Sequence, residues 1–561
     1  MNQSVADELA ARVAAGKSPR PVVAGAGRSS VVRWSCYAAV AVGIILRLLQ
    51  LLANRGLSQD EAQLALNVID KPLGALMGQL DYQQAAPEGF LFMQKLAVWS
   101  LGSSEYVLRL VPFVAGSLAL VVLLVVARNV VQRWAVPLAV LLIAFHDPLI
   151  NWSVYDKQYA VDVLLAVVVL WIGVRLMDRP QERSTLLLFA VVGAAAIWIS
   201  HPSVFVLAGV STVVFGSSVL KGEWHRAGTV LAAAVPWIAS FGIFLATSSH
   251  NLVLLQTVLR GSPGAFAVSG GSEFESLRRG FGEFRYASGV PHFLTYRGLD
   301  AGLLVLLFAA SFCVLGFVSV LARRRGAALA LVAPLGFMIV AWALNKYPLL
   351  GRTQLFLVPS FVLLAAEGVV QAATRPRSAA VRTASVVAAC CVAVALATPA
   401  VGHVVHPRRL QDVKPVLEYI AQSQRPADTV FVYYTAQHQL RYYLECKCAG
   451  TSFEEARARG WWPLRPAPGG PAAFASALRS VPPRLVVPLF RGRDPADYVA
   501  DIDNLQGRPR VWLLLSAVDA SDTAQLLAEF DRVGHRRARV TIGKGVDAAG
   551  AYLYDMRPRR G

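Results

Sequence analysis

The sequence predicts a polytopic α-helical membrane protein with about eleven transmembrane helices and an appended C-terminal α/β domain. Three observations carry this. Of 561 residues, 55% are apolar and only 16% are charged, with a mean hydropathy of +0.49, too oily for a soluble globule. Apolar runs recur at about 32–53, 107–127, 135–146, 158–177, 185–200, 203–220, 228–248, 300–322, 327–343, 354–373 and 383–401. From Arg408 onward the composition becomes that of a soluble domain.

Residues 1–30 are polar and rich in Ala, Gly and Arg, with no cleavage-site pattern before the long span that follows, and read as a cytosolic tail. Several apolar runs are short for a full crossing and are expected to tilt or break. Basic clusters at Arg128 and Arg133, at Arg175, Arg179 and Arg183, at Lys221 and Arg226, at Arg323 to Arg325, and at Arg375, Arg377 and Arg382 all fall on the side of that tail. By the positive-inside bias, residues 31–402 then form a membrane domain whose outer loops are 54–106 and 249–299, and 403–561 lie outside. In that last part VLEYIAQ, HQLRYYLE and TAQLLAEFDRVG read as helices and DTVFVYY, RLVVPLF, VWLLLS, ARVTIG and AYLYDM as strands. Gly469 and Gly470 mark a surface loop. No G-x-G-x-x-G or P-loop follows a strand, which excludes a nucleotide site of those kinds.

The net charge of +19 comes from short clusters between apolar runs, which suits topology signals and lipid headgroups and argues against nucleic acid as a partner. Of six cysteines, Cys36, Cys313, Cys390 and Cys391 lie in apolar segments where no disulfide framework is expected. Cys446 and Cys448, in CxC spacing, read as a strained disulfide or two free thiols.

The first outer loop carries the sharpest chemistry, in LLANRGLSQDEAQLALNVID. Ser58 and Glu61 have capping-box spacing, so a short helix is expected with Leu64, Ala65, Val68 and Ile69 on its apolar face. Asp60 then falls in the first turn, where the helix dipole favours the ionised carboxylate. Both acids can be plain cap residues; that reading is weaker for Asp60, because Ser58 and Glu61 already satisfy the cap. Arg47, inside the first span, is a functional candidate or a side chain that snorkels or pairs with a carboxylate. WSVYDKQYAVDVLL puts Asp156, Lys157 and Asp162 at the outer end of the fourth span, with Tyr155, Tyr159 and Asp162 roughly on one helical face. Lys157 can hold a phosphate as a point charge or sit in an aromatic belt. His201, before Pro202, is a helix stop or a substrate contact. Lys346, Tyr347 and Arg352 suit an anionic headgroup or a lipid-linked phosphate. Glu105 and Arg109 have the spacing of a structural i, i+4 pair.

These pieces, in this order, resemble the membrane-embedded C-type glycosyltransferases of the GT-C fold, the superfamily of protein O-mannosyltransferases and the lipid A aminoarabinose transferase, and within it the family 39-type bacterial enzymes. The resemblance covers about residues 32–400 and rests on RLLQLL, SQDEAQLALNV, GSSEYVLRLVPFVAG, YDKQYAVDVLL and YPLLGRTQLFLVP. Many relatives carry a PPL-type stretch in the first outer loop, where this chain reads QQAAPEGFLFMQ; Pro87 remains and Glu88 replaces an apolar or proline residue. The resemblance implies a polyprenyl-phosphate-sugar donor in the outer leaflet of a bacterial cytoplasmic membrane and a lipid, glycan or protein acceptor from the aqueous side. It further implies that Asp60, with Glu61 beside it, is the catalytic carboxylate of an inverting transfer. Lys157, Arg352 and Lys346 are then expected at the donor phosphate, and Asp81, Tyr82, Tyr155, Tyr159, His201 and Tyr347 at substrate. Asp147 is a further candidate for sugar or a divalent cation. Relatives differ on metal, so a cation cofactor stays open. The alternative function is a lipid or solute transporter, but the charges of interest gather at the outer surface and no paired halves with midplane charges are evident. A catalytically inert glycan-binding scaffold is the third reading.

Overall fold

The computed structural model describes residues 23–179, 181–259, 285–289, 295–296, 299–376, 378–425, 428–444, 484–486 and 494–558. The expected features at residues 1–22, most of the loop 249–299, Cys446, Cys448, Gly469 and Gly470 lie outside the described residues.

Every apolar run becomes a helix. Among the described residues, nine helices are long and apolar enough to cross a membrane, and two apolar ones are shorter, Ala135–Ala144 and Arg183–Ile199. The elements that position the site are α1 (Val23–Leu52), α2 (Gln59–Asp70), α3 (Glu88–Leu101), α4 (Leu110–Val130), α5 (Ala135–Ala144) and α6 (Asp147–Trp152). They are followed by α7 (Tyr159–Asp178), α8 (Arg183–Ile199), α9 (Ser203–Leu220), α10 (Trp224–Leu259), α11 (Ala301–Arg323), α12 (Arg325–Ala343), α13 (Val358–Thr374) and α14 (Ala379–Val405). The first helix begins seven residues before its membrane span at Ser30, so part of the expected tail is helical.

The ten residues of α5 rise only about 15 Å, half of a hydrocarbon core about 30 Å thick. The chain therefore leaves α5 early and runs through α6 and the turn 153–158 inside the bundle, which is why Tyr155, Asp156 and Lys157 are buried. Tyr155 precedes α7 and does not share a helical face with Tyr159 and Asp162. Elsewhere small residues let helices touch backbone to backbone. A Cβ on Gly316 of α11 would meet the Leu364 carbonyl at 1.8 Å, and one on Gly368 of α13 would meet that of Phe312 at 1.8 Å, the close approach that membrane helices favour.

Among the described residues, the segment after α14 forms a mixed five-stranded sheet with flanking helices, as the alternation predicts. Its strands are β1 (Thr429–Val432), β2 (Arg484–Val486), β3 (Val511–Ser516), β4 (His535–Ile542) and β5 (Ala549–Asp555), in spatial order β2-β1-β3-β5-β4. β1 runs parallel to β2 and β3, and β5 antiparallel to β3 and β4. This domain sits on the first loop. Leu57, Ala62, Leu66 and Leu108 share one apolar core with Val416, Leu417, Ile420 and Leu440. Polar bonds flank that core: the Gly56 amide to Asp412 Oδ1 at 2.9 Å, the Leu57 amide to Tyr443 Oη at 3.0 Å, and Lys414 to Glu105 at 2.6 Å. The chain's alternation across the bilayer puts the first loop, the Lys157 turn, the α12–α13 turn and this domain on one face.

Candidate active site

Ser58 caps α2 as its spacing predicts: its hydroxyl accepts from the Glu61 amide, and the Glu61 carboxylate accepts from the Ser58 amide at 3.0 Å. Two neighbouring acids then point to different places. Asp60 keeps an open side, the recess, with one-third of its side chain exposed. Lys157 Nζ stands 3.1 Å from Asp60 Oδ1 and Arg352 Nη1 stands 3.5 Å from Oδ2. Three motifs remote in sequence thus meet at one carboxylate. Burial pushes the Asp60 carboxyl up, but Lys157, Arg352 and the Gln84 amide together hold it below the usual aspartate range, so it is ionised.

Gln84 completes the recess and carried no sequence signal. Its amide nitrogen donates to Asp60 Oδ1 at 3.3 Å and Gln63 Oε1 at 2.8 Å, while its carbonyl accepts from Lys157 Nζ. Tyr82 and Gln83 before it adopt left-handed φ values of 60° and 56°, and this tight turn brings the amide back over α2. Arg352 lies over the Tyr159 ring at 5.9 Å, and Tyr155 hydrogen-bonds Ser58.

Glu61, in contrast, is sealed. Arg55 Nη1 lies 2.6 Å from Oε2 and Arg109 Nε 3.0 Å from Oε1, and the Asp156 amide donates to Oε1 at 3.1 Å. Burial opposes ionisation here too, yet the two guanidiniums pull the carboxyl down to about 2. With no exposed side-chain surface, it meets no substrate and anchors the turn that aims Asp60. Beside it Asp156, buried with only a Gln94 contact on one oxygen, is pushed up to about 8 by burial and by Glu61.

Other expected site residues are dispersed. Lys346 is exposed and makes no ion pair with Asp60. Asp81 is exposed and pairs with Lys71 of its own loop at 3.0 Å, while Tyr82 hydrogen-bonds Arg441 and packs on His438 with ring centres 4.4 Å apart, so Tyr82 faces the C-terminal domain. Tyr347 donates to the Thr353 carbonyl at 2.9 Å, edge-on to Phe205. His201 packs against Phe244 at 5.4 Å, and burial holds its imidazole down to about 4, hence neutral. Asp147 is held by His403 at 2.8 Å and Arg408 at 3.3 Å. Glu105 and Arg109 do not pair as their spacing suggested: their partners are Lys414 and Glu61, because the folded loop brings those nearer. Arg47 neither snorkels nor pairs with an acid; it is buried, donating to the Gly43 carbonyl at 2.9 Å and to Ser153 Oγ at 3.2 Å. Among the described residues no three His, Cys, Asp or Glu side chains gather to hold a metal ion.

Among the described residues lies an apolar groove of about 330 Å³, walled by α5, α11, α13 and α14 through residues such as Leu142, Phe312, Phe361 and Leu396, with His146 and Ser288 in its lining. Tyr286 joins recess and groove: it accepts from Trp152 Nε1 at 2.8 Å, its ring lies against Gly351, and Ala287 and Ser288 after it line the groove.

Fold and site together define a multi-span membrane protein with an apolar groove and an ionised carboxylate held between two cations. No protein-family model matches the chain, and no curated protein matches it. Among solved structures it is similar to ArnT from Cupriavidus metallidurans bound to undecaprenyl phosphate, at 13% identity and TM-score 0.46 over 92% of this chain and 97% of that one. It is also similar to the Archaeoglobus fulgidus oligosaccharyltransferase in complex with zinc and sulfate (12% identity, TM-score 0.44, 93% and 73% covered). A third is the arabinofuranosyltransferase AftD from Mycobacteria (15%, 0.41, 94% and 42%).

Proposed function

We propose that this chain is a membrane glycosyltransferase that moves a sugar from a polyprenyl-phosphate donor to an acceptor hydroxyl, on the face of a bacterial cytoplasmic membrane that carries the C-terminal domain. The observation that carries the reading is the Asp60 recess, where a partly exposed carboxylate shares two cations drawn from two different spans. In the free protein those cations neutralise Asp60 and keep it a weak base. A lipid phosphate entering from the groove competes for Lys157 and Arg352, since a phosphate offers them more negative charge than one carboxylate does. Donor binding therefore releases Asp60 and raises its basicity at the moment a base is needed.

In the proposed step the Asp60 carboxylate takes the proton of the acceptor hydroxyl as that oxygen attacks the anomeric carbon. The anomeric C–O bond to phosphate breaks, and its electron pair leaves on the polyprenyl phosphate, whose growing charge Lys157 and Arg352 stabilise. A single displacement inverts the anomeric configuration. The groove, apolar but for lining residues such as His146 and Ser288, suits an isoprenoid chain, and Gln84 is placed to hold Lys157 and Asp60 in register. A transporter reading lacks a matching feature among the described residues, because the charged groups converge on one surface of the bundle and not at its middle.

Purified full-length protein in liposomes, given a polyprenyl-phospho-sugar and envelope extract as acceptor, is expected to yield a glycosylated product and free polyprenyl phosphate. Movement of substrate across the liposome wall with no covalent product contradicts the proposal.

A further inference from the structure

The opposite face of the membrane domain carries a second concave site. Between the start of α1, the end of α4 and the start of α5 lies a cavity of about 370 Å³, within the size range of small-ligand pockets. Arg33, Arg128 and Arg133 line its mouth, with Tyr37 beside them and Val131 and Val136 in its wall. Arg128 lies over the Tyr37 ring at 5.7 Å. Among the described residues none of the three arginines has a carboxylate partner. Glu367, which packs against the α4–α5 turn, is already engaged by the Gln132 amide at 2.7 Å, Ser319 Oγ at 2.7 Å and Arg323 at 2.5 Å. Three guanidiniums around one hollow, none paired with a carboxylate among the described residues, form a receptor for a multivalent oxyanion, which the planar guanidinium fork matches in geometry.

Where this hollow sits names the anion. Trp34 and Trp134 flank it with 64% and 51% of their surface exposed, as tryptophans do at the headgroup level of a bilayer. We propose that this cavity binds the phosphate of an anionic lipid headgroup. The lipid would tie α1 to the α4–α5 turn. The far ends of those helices frame the site: α1 leads into the Asp60 loop, and α5 leads into the Lys157 turn. Because the donor phosphate is assigned to the other face, this site holds a different molecule, and it stands whether or not the glycosyltransferase reading does.

Native mass spectrometry of the full chain in neutral detergent, titrated with phosphatidylglycerol, phosphatidylcholine or inorganic phosphate, tests this. Phosphatidylglycerol is expected to bind and phosphatidylcholine not. Arg128→Gln and Arg133→Gln should each weaken binding about fivefold. Arg382→Gln, on the same face but outside the cavity, should leave it unchanged. Arg133 lies in an exposed turn, so Arg133→Gln tests the site even if Arg128→Gln folds poorly; melting in lipid-free detergent reports folding separately. Binding of inorganic phosphate alone with the same arginine dependence would keep the oxyanion chemistry and overturn the lipid as its source. Equal binding of phosphatidylcholine, or equal losses in Arg382→Gln and Arg128→Gln, overturns the site.

Discussion

Asp60 and Glu61 are consecutive in one helical turn, yet the recess around the first and the cage around the second are built on opposite principles. In the cage the Glu61 carboxylate is shared by two fully buried guanidiniums, from Arg55 before α2 and Arg109 before α4. In the recess Asp60 meets a buried ammonium and a guanidinium that is 39% exposed. The cage can do nothing but hold. The recess has open surface and cations that a competing anion can take. The difference teaches that a carboxylate's chemistry here follows from what its neighbours leave open, and less from its residue type or its place in a motif.

The comparison can be broken at several points. Removing the charge in the cage should have the largest effect on folding. Glu61→Leu strands two buried guanidiniums and is expected to cost about 3–5 kcal/mol, read as a large drop in melting temperature with loss of folded protein. In the recess, Arg352→Gln or Lys157→Gln should leave folding near wild type and weaken donor binding by about 1.5–3 kcal/mol each, the range for hydrogen bonds to charged groups, measured by titration with a polyprenyl phosphate. Equal destabilisation by Glu61→Leu and by the two recess variants would erase the distinction between cage and recess.

Acid and alkali separate the buried carboxyls further. Glu61, depressed to about 2, contributes stability that is present above its unfolded value of 4.5 and is lost as pH falls toward 2. Asp156, raised to about 8, acts in the other direction. The unfolded chain ionises it from about pH 4 upward while the folded protein keeps its proton, so its contribution falls between about pH 4 and 8. Asp156→Asn, which keeps an oxygen to accept from Gln94, is therefore expected to melt higher than wild type at pH 8 and to show less difference at pH 5. The smallest effect is expected at Asp81, whose side chain is mostly exposed and paired only with Lys71. Asp81→Asn should shift stability by no more than about 0.5 kcal/mol and leave turnover unchanged.

Much of the fold was legible because hydrophobic length and period are local properties. All eleven apolar runs became helices, and each strand expected after Arg408 overlaps a described strand. Asp60, Lys157 and Arg352 were also legible, as charged residues beside apolar spans where charge is expensive. What stayed hidden was partner choice. Spacing offered Glu105 and Arg109 to each other, but nothing local told that Lys414, some three hundred residues on, would take Glu105. Gln84 was invisible for a similar reason: an ordinary polar loop residue acquires its role only through the left-handed turn at Tyr82 and Gln83. Asp81 and Tyr82 looked like site residues because they lie in the same loop, and the docked C-terminal domain claims Tyr82 instead. Arg47 looked functional because a charge in a span is costly; the early end of α5 supplies the Ile143 carbonyl and Ser153 that satisfy it.

The most direct test of the account is sugar transfer by Asp60→Asn. The amide keeps the shape of the side chain and cannot take a proton, so turnover is expected to fall by about 10²–10⁴, the usual contribution of a positioned general base. Polyprenyl phosphate should bind that variant at least as tightly as wild type, because Lys157 and Arg352 no longer have a carboxylate to leave. Wild-type turnover by Asp60→Asn, with donor binding unchanged or weakened, would contradict the central claim.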